Sequence, residues 1–296
     1  MLRFSDVYAT AANPVISFEV FPPKTDAAYK NLREVLPELI SQRPDFMTVT
    51  YGALGSTRER TLEIAAAIQN QFKVPTACHL TCVGSARGDL DKILDEINGS
   101  GIRNIVALRG DPPQGEVSFT APADGYGHAS QLVAHIRARE NQEGLGPFGI
   151  AVAGYPEKHV EAPDLMTDLA HLKTKVAAGA DCVVTQLFYE NERYFEFVRE
   201  ARAIGITVPI VPGLLPVLSA KQVVRITSMC GSRLPEDLKA ELEGVGDDLQ
   251  KSEEIGVRQC VRQAVELLEK GAPGIHFYVL NRASHMIRIM NKIRSS

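Results

Sequence analysis

Two acidic residues in this chain lie where a carboxyl group could transfer protons or bind a ligand. Glu19 lies in the apolar segment ISFEVFPP, where loss of solvation predicts a raised pKa that suits a general acid near neutral pH. Asp111 follows Arg109, which offers a donor fork for phosphate or carboxylate, and Gly110, which permits a sharp turn or close approach to a ligand. The simpler alternatives are a salt-bridged structural glutamate and a solvated aspartate in a turn.

A second group combines an aromatic ring and an imidazole with polar positions on the helix that follows. Its members are Tyr155, His159, Asp168, His171 and Lys175. The last three are spaced by three and four residues, so they share one helix face, and the group could hold a flat or phosphorylated cofactor. An exposed helix face with ordinary charges is the simpler alternative. Gln186 places an amide in the apolar segment TQLFY, and a ligand is one source of the partners that a buried amide needs.

Two further motifs match known sites only in their letters. Cys78, His79 and Cys82 lie in or beside one apolar run. Side-chain alternation along a strand separates His79 from the two cysteines, and no second cluster completes a tetrahedral set, so we expect no metal site. The sequence GLGPFG at 144–149 has the letters of a dinucleotide-binding loop, yet it precedes a strand and opens no helix.

Short apolar runs separated by helix-like segments must position these residues. Eight such runs are spread over the chain, at 16–21, 46–51, 76–81, 104–108, 149–154, 182–188, 209–215 and 274–280. Polar residues follow nearly all of them, which predicts an α/β fold, a (β/α)8 TIM barrel whose chemistry lies at the C-terminal strand ends. We expect residues 1–296 to form this single domain, with a long loop at about 112–127 and extra helices at about 218–270.

Composition and charge argue against several classes of function. The chain is 45% hydrophobic and 23% charged, with a net charge of -4 and a pI near 6.0, which predicts no binding to nucleic acid or to an anionic membrane. No apolar run approaches the ~18 residues of a membrane span, and the N-terminus lacks a secretory core. The five cysteines are few and odd in number, as is typical of reduced thiols, so we expect a cytoplasmic protein.

Taken in order, the motifs resemble one known family. The segments that carry the resemblance run from about residue 15 to about residue 290 and are ISFEVFPPK, VTYGA, HLTC, ALRGDPP, AGYPEKHVEA, DLAHLKTKVAAGAD, TQLFY, PIVPGLLP and GIHFYVLNR. They look like methylenetetrahydrofolate reductase. The resemblance implies a (β/α)8 barrel that binds FAD noncovalently and uses NADH or NADPH to reduce 5,10-methylenetetrahydrofolate to 5-methyltetrahydrofolate. It also implies ping-pong kinetics, in which the nicotinamide leaves before folate enters.

The same resemblance implies roles for individual residues. Glu19 matches the general acid that protonates N10 and opens the imidazolidine ring, and Asp111 matches the catalytic carboxylate beside flavin and pterin. Gln186 matches an amide that contacts folate and nicotinamide, and Arg282 matches the group that meets the glutamate tail of folate. Lys175 is expected to stabilise negative charge on reduced flavin. The implied FAD contacts are Thr50, His79, Arg109, Gly110, Asp111, Ala129, Tyr155, His159, Ala162, Asp168, His171 and Lys175.

The sequence departs from the family pattern in three places. Ala220 stands near a position where some relatives carry an aromatic residue that packs on nicotinamide or folate, and Thr174 replaces a basic residue of some bacterial relatives. We also expect no C-terminal regulatory domain that binds S-adenosylmethionine. The choice between NADH and NADPH stays open, because no Rossmann fingerprint marks a ribose anchor. Family resemblance suggests a homodimer or homotetramer, and electron supply by a partner protein is an alternative to NAD(P)H.

Two other functions compete with this interpretation. One is a related barrel that transfers a methyl group to or from tetrahydrofolate without flavin. The retained residues His79, Tyr155 and Lys175 argue against it, because such a barrel would not keep the FAD contacts. The other is a folate- or flavin-binding scaffold within a larger complex. Glu19 argues against the scaffold, because simple binding does not need an acid there.

Overall fold

Strands and helices alternate along almost the whole chain. The structure is a computed structural model that describes residues 2–51, 58–111, 119–141 and 144–295. The strands are β1 (Val15–Val20), β2 (Phe46–Val49), β3 (Thr76–Thr81), β4 (Asn104–Leu108), β5 (Gly149–Gly154), β6 (Cys182–Thr185), β7 (Ile210–Val211), β8 (Gly213–Leu214) and β9 (Gly274–Tyr278). The helices are α1 (Phe4–Thr10), α2 (Asp26–Ser41), α3 (Arg58–Phe72), α4 (Arg87–Gly99), α5 (Ala129–Glu140), α6 (Leu165–Ala177), α7 (Asn191–Ala203), α8 (Ala220–Cys230), α9 (Glu236–Val245), α10 (Leu249–Glu269) and α11 (Ser284–Ser295).

The strands form one parallel sheet that curves into a nearly closed barrel. Their order is β7-β6-β5-β4-β3-β2-β1-β9-β8, and the two ends of this order are halves of one segment interrupted by Pro212. Proline has no N–H to donate to a ladder, but the Pro212 carbonyl oxygen accepts a hydrogen bond from the His276 backbone N at 2.9 Å. The predicted (β/α)8 TIM-barrel class is confirmed. The single strand predicted at 209–215 is wrong, because the proline divides it.

Some of the predicted strand boundaries match the structure and others do not. The runs predicted at 76–81, 104–108 and 149–154 coincide with β3, β4 and β5. The run predicted at 182–188 ends as a strand at Thr185, so the placement of Gln186 inside the strand is wrong, and this residue follows it. Within the long loop predicted at 112–127, residues 112–118 lie outside the described part of the chain.

Helix α6 shows how the helices are fixed against the barrel. Asp164 caps its N-terminus by accepting a hydrogen bond from the Thr167 backbone N at 2.7 Å, as capping residues commonly do. Leu169 and Leu172 are buried, because spacings of three and four residues place apolar side chains on one helix face. The chain leaves the helix through Gly179, whose φ of 117° lies in the left-handed region.

Helix α1 closes the N-terminal end of the barrel. Phe4 and Val7 pack with small barrel-interior residues such as Ala77 and Ala151. The Phe4 ring lies 5.0 Å from the Phe46 ring, centroid to centroid, in an edge-on contact. The Phe4 backbone N also donates to Asn104 Oδ1 at 2.8 Å. The interior is therefore filled at this end, and open space is left at the C-terminal strand ends.

Truncation of the α1 plug, formed by Phe4 and Val7, is expected to destabilise the whole barrel. Phe4 is 1% exposed, and removal of a buried phenylalanine side chain typically costs roughly 3–5 kcal/mol, because a cavity replaces its contacts. We expect Phe4→Ala to lower the free energy of unfolding by about that amount, measured by urea denaturation. Leu2→Ala is the matched control, because Leu2 is 50% exposed and its truncation should cost under ~0.5 kcal/mol. Equal stability of the two variants would contradict the plug.

Three helices occupy the long stretch between β8 and β9. Helices α8, α9 and α10 bury a cluster of apolar side chains against the barrel, which includes Leu187, Leu215, Val223, Leu242 and Ile255. This cluster walls one side of the C-terminal strand ends. Within the described ranges, no helix combines the length and the apolar character needed to cross a membrane.

Candidate active site

A cleft of about 500 Å³ opens at the C-terminal ends of the strands. Parallel strands deliver their C-terminal residues to this one rim, so side chains that are far apart in sequence meet there. Predicted site residues that line the cleft are Glu19, Thr50, His79, Arg109, Gly110, Asp111, Tyr155, His159 and Gln186. The structure thus brings together residues from β1, β3 and the segments that follow β2, β4, β5 and β6.

Glu19 lies at the centre of a polar cluster in the cleft. Its Oε2 accepts a hydrogen bond from Thr48 Oγ1 at 2.9 Å and lies 3.2 Å from His276 Nε2. His79 Nε2 lies 3.0 Å from the same oxygen, an ion-pair distance, but outside ordinary hydrogen-bond geometry. The other nitrogen of His276, Nδ1, lies 2.8 Å from Ser17 Oγ.

Strand register explains this cluster. Glu19 of β1 is paired with Thr48 of β2, and Ser17 of β1 is paired with His276 of β9. Side chains two residues apart on a strand share a face, so Ser17 and Glu19 both point into the barrel and reach one imidazole. Residues of three other strands, β2, β3 and β9, contact the Glu19 carboxylate, and the Glu19 side chain is 14% exposed.

The expected direction of the Glu19 pKa shift is wrong. Burial pushes the pKa of Glu19 upward, but the charge interactions and hydrogen bonds with His79 and His276 outweigh it, and the pKa lies well below its usual range. Desolvation alone predicts a rise, and the two imidazoles from other strands reverse its direction.

The turn after β4 places a cation and a glycine at the rim. Arg109 Nη1 and Nη2 donate to Glu161 Oε2 and Oε1 at 2.5 and 2.7 Å, and the guanidinium lies 5.1 Å from the centre of the Phe119 ring. Gly110 has a φ of 91°, and a Cβ there would lie 2.7 Å from Val83 Cγ1. The backbone can therefore follow this path only with glycine. Asp111 comes next and is exposed at the mouth of the cleft.

An aromatic and basic group lines the side of the cleft formed after β5. The Tyr155 and His159 rings make an edge-on contact at 4.7 Å. Lys175 Nζ donates to the Ala153 carbonyl oxygen at 2.6 Å and lies 5.6 Å from the centre of the Tyr155 ring. Asp168 Oδ2 accepts from the His159 backbone N at 3.0 Å and so fixes the loop. Burial lowers the pKa of Lys175 to about 8, opposed by the charge of Asp168.

The low pKa of Lys175 predicts a pH dependence of stability. The pKa of about 8 in the folded protein lies below the usual value near 10.4 of an unfolded chain. Between these pH values the unfolded chain binds the proton and the folded protein does not, so stability from this group rises with pH. We expect Lys175→Met to remove the rise and to raise the free energy of unfolding at pH 7 by up to ~3 kcal/mol, at ~1.4 kcal/mol per pKa unit, since a charged group is no longer held away from water.

Urea unfolding of the protein without added ligand between pH 7 and 9.5 measures this difference. The matched control is Lys173→Met on the same helix, because Lys173 is exposed and its removal should leave the pH profile unchanged. An identical slope for Lys175→Met and the unaltered chain would show that Lys175 does not titrate in this range.

Six predicted site residues lie outside the cleft lining. Asp168 and Lys175 lie behind the residues that form it, and Ala162 is buried in the same loop, where its carbonyl oxygen accepts from Lys158 Nζ at 2.8 Å. Ala129 begins helix α5. His171 and Arg282 are exposed. These residues belong to the surroundings of the cleft and not to its lining.

The structure adds residues that were not predicted from the sequence. Ser17, Thr48 and His276 complete the Glu19 cluster, and Tyr278 lines the cleft, where its hydroxyl donates to the Thr185 carbonyl oxygen at 2.7 Å. The signal for His276 and Tyr278 was present: they alternate in GIHFY, so one face of that strand carries both. Ser17 precedes Glu19 by two residues for the same reason.

Strand alternation places the cysteines and the histidine of the Cys78–Cys82 motif on opposite faces. Cys78 and Cys82 lie in the core between the barrel and its helices, whereas His79 lines the cleft. Among the described residues, no group of three or more histidine, cysteine, aspartate or glutamate side chains is arranged to hold a metal ion.

The cleft residues suit a flavin dinucleotide. The His79 imidazole lines the cleft, where its Nε2 pairs with Glu19 Oε2 at 3.0 Å, and its ring faces the space that a ligand would fill. Gly110 leaves the rim backbone bare, so a large ligand can approach it closely. Arg109 supplies a fork for phosphate or ring carbonyl oxygens. Tyr155 offers an aromatic surface beside the cation of Lys175.

Comparison with solved structures agrees with the barrel assignment. An uncharacterized protein from Clostridium thermocellum, described as binding two copies of 5-methyl-5,6,7,8-tetrahydrofolic acid, superposes with a TM-score of 0.62 over 98% of this chain and 96% of that one. The two sequences are 18% identical, so this likeness concerns the fold.

Sequence comparison identifies the family. A rice protein named probable methylenetetrahydrofolate reductase (NADH) is 40% identical over 291 residues, which cover 95% of this chain and 48% of that protein. The Escherichia coli 5,10-methylenetetrahydrofolate reductase is 37% identical over 268 residues, 90% of this chain and 86% of that one. The chain thus spans about half the length of its plant relatives. The methylenetetrahydrofolate reductase family model matches residues 3–294, and the chain therefore belongs to that family.

Proposed function

We propose that this protein reduces 5,10-methylenetetrahydrofolate to 5-methyltetrahydrofolate with electrons from NADH or NADPH. The observation that carries the proposal is the Glu19 cluster in the cleft, where Thr48, His79 and His276 surround one carboxylate oxygen. Simple folate binding does not need such a proton-holding group. Bound FAD would supply the hydride transfer between nicotinamide and folate, which amino-acid side chains cannot perform.

The cofactor would be held along one side of the cleft. Arg109 and His79 present nitrogen donors, Tyr155 and His159 present rings, and Gly110 allows close approach. Lys175 lies behind Tyr155 and brings positive charge near this side, which would favour an electron-rich bound ligand. Because Glu161 already orients Arg109, cofactor binding would cost little further side-chain entropy at Arg109.

Glu19 would deliver the proton that opens the imidazolidine ring. Thr48 and His276 fix the position of the carboxylate, and His79 lies within 3.0 Å of it. A substrate that covers the cleft excludes water and disfavours the charged form of Glu19, which raises the pKa of this carboxyl group. Glu19 would then carry a proton when the substrate is bound. A low pKa in the open cleft is thus compatible with the acid role.

Substrate contacts are proposed on the opposite side and at the mouth. Gln186 Oε1 accepts from the Leu187 backbone N at 2.9 Å, an orientation that would let its NH₂ group donate to a pterin. Asp111 at the mouth would accept a hydrogen bond from the pterin and favour a cationic iminium. Arg282 is exposed and suits the glutamate tail. A homodimer or homotetramer, and an alternative electron supply from a partner protein, stay predictions.

Anaerobic mixing with NADH and, separately, NADPH tests the proposal. Because the plant relatives carry NADH in their names, NADH is the first donor to try. Bleaching of the flavin absorbance, restored by methylenetetrahydrofolate, is the expected result. If the protein is yellow but neither nucleotide bleaches it, the electron donor would be a partner protein and not NAD(P)H. A colourless protein that takes up no added FAD would overturn the flavin-dependent reaction and favour methyl transfer without flavin.

A further inference from the structure

Thr81 carries a buried hydroxyl group that the described part of the protein leaves unsatisfied. It is the last residue of β3 and lines the cleft. The side chain is 6% exposed, and its Oγ1 has no hydrogen-bond partner among the residues that the structure describes. Buried polar groups without partners are rare, because each loses its bonds to water and gains none in return. Valine has nearly the same shape and would avoid this loss, so the hydroxyl calls for a functional explanation.

Three other hydroxyls around the cleft hydrogen-bond within the protein. Thr48 Oγ1 donates to Glu19, Thr185 Oγ1 accepts from the Gly213 backbone N at 2.9 Å, and the Tyr278 hydroxyl donates to the Thr185 carbonyl. Their positions are therefore explained by the barrel itself. Thr81 differs from them, since nothing in the described part of the chain uses its oxygen.

The surroundings of Thr81 indicate which ligand would use the hydroxyl. A Cβ built on Gly110 would lie 3.2 Å from Thr81 Cβ, so the side chain touches the rim turn that also carries Arg109. His79 precedes it by two residues on the same inward face of β3, and its Nε2 pairs with Glu19 at 3.0 Å. The unsatisfied oxygen of Thr81 thus lies beside the glycine turn, on the side of the cleft assigned above to FAD.

We infer that Thr81 is a cofactor-positioning residue whose hydroxyl hydrogen-bonds to bound FAD; this rests on the proposed function. Thr81 lines the cleft, and a rotation of about 120° about χ1 carries Oγ1 to another staggered position without movement of the backbone. A hydroxyl both donates and accepts, so it can serve a flavin atom that is an acceptor when oxidised and carries hydrogen when reduced.

Flavin affinity and flavin-free stability should change in opposite directions in Thr81→Val. Loss of one hydrogen bond to the ligand predicts about a tenfold rise in the FAD dissociation constant. The same change removes an unsatisfied buried oxygen, so the flavin-free protein should melt at the same or a higher temperature than the unaltered protein. Thr81→Ser keeps the hydroxyl and should bind FAD within about twofold of the unaltered protein.

Thr76→Val is the matched control. Thr76 lies at the other end of β3, is fully buried, and donates through Oγ1 to the Val74 carbonyl oxygen at 2.9 Å. Its replacement should lower the melting temperature and leave FAD affinity unchanged. The comparison separates a general effect of threonine-to-valine change in this strand from a contact with the cofactor.

The FAD dissociation constant is measured with the full chain. The FAD-loaded protein is diluted, and the fluorescence of the released flavin is recorded. Tighter or equal FAD binding by Thr81→Val overturns the inference, as does a loss of affinity that Thr81→Ser does not recover. If the unaltered protein turns over folate and Thr81→Val binds FAD equally, only this inference fails. If the unaltered protein binds no FAD, the proposed function fails, and the inference fails with it.

Discussion

On the proposed function, Glu19→Gln is expected to slow folate reduction by roughly 10²–10⁴-fold, the usual contribution of a general acid. Glutamine keeps the shape of the side chain and an oxygen to accept the Thr48 hydrogen bond, so the cleft should stay intact. The variant should keep its flavin and should still oxidise NAD(P)H at a normal rate, because that half-reaction needs no proton on N10. Stopped-flow absorbance of the two half-reactions, measured separately, tests this expectation.

A control removes an equally shielded carboxylate elsewhere. The side chain of Glu140 is also 14% exposed, and it pairs with Arg137 at 2.8 Å outside the cleft. Glu140→Gln should reduce stability and leave both half-reactions unchanged. Normal folate reduction by Glu19→Gln would remove Glu19 from the acid role. Equal loss in both half-reactions would point instead to a damaged flavin site.

Gly110→Ala should weaken FAD binding by roughly 10–100-fold. Alanine at a φ of 91° is strained by about 1–3 kcal/mol, and its Cβ would also lie 2.7 Å from Val83 Cγ1 and 3.2 Å from Thr81 Cβ. The turn must shift to relieve both, and it carries Arg109 and Asp111 with it. The measured quantity is the FAD dissociation constant, with folate turnover at saturating FAD as the second readout.

Two variants separate the backbone strain from the clash. Gly144 has a similar φ of 86°, and a Cβ added there would meet no atom of the described residues within 4 Å, so Gly144→Ala tests strain alone, far from the cleft. The double change Gly110→Ala with Val83→Ala relieves the main contact and should recover part of the FAD affinity. Unchanged FAD binding in Gly110→Ala would show that the rim turn does not position the cofactor.

The barrel could be predicted well because its signals in the sequence are local and repeated. Apolar runs such as NIVAL end at the residue where the strand ends, and polar residues follow at the rim. The break at Pro212 was also visible in the sequence, since proline cannot donate to a ladder. The end of β6 at Thr185 was less predictable, because TQLFY stays apolar beyond the strand.

The sequence predicted part of the cleft lining but not its electrostatics. Rim residues such as Arg109 and Tyr155 follow from their positions after strands. The pKa of Glu19 depends on His79 and His276, which lie on two other strands. Their Nε2 atoms lie 3.0 and 3.2 Å from Glu19 Oε2 because of the strand register across the barrel. One sequence carries no direct record of that register, so the sign of the shift could not be read from ISFEVFPP alone.

The α1 plug formed by Phe4 and Val7 at the far end of the barrel has a kinetic consequence. With that end filled, ligands enter the cleft from the rim. On the proposed function, nicotinamide and folate share this entrance, so excess NAD(P)H should compete with folate for the reduced enzyme, and the rate should pass through a maximum as the donor concentration rises.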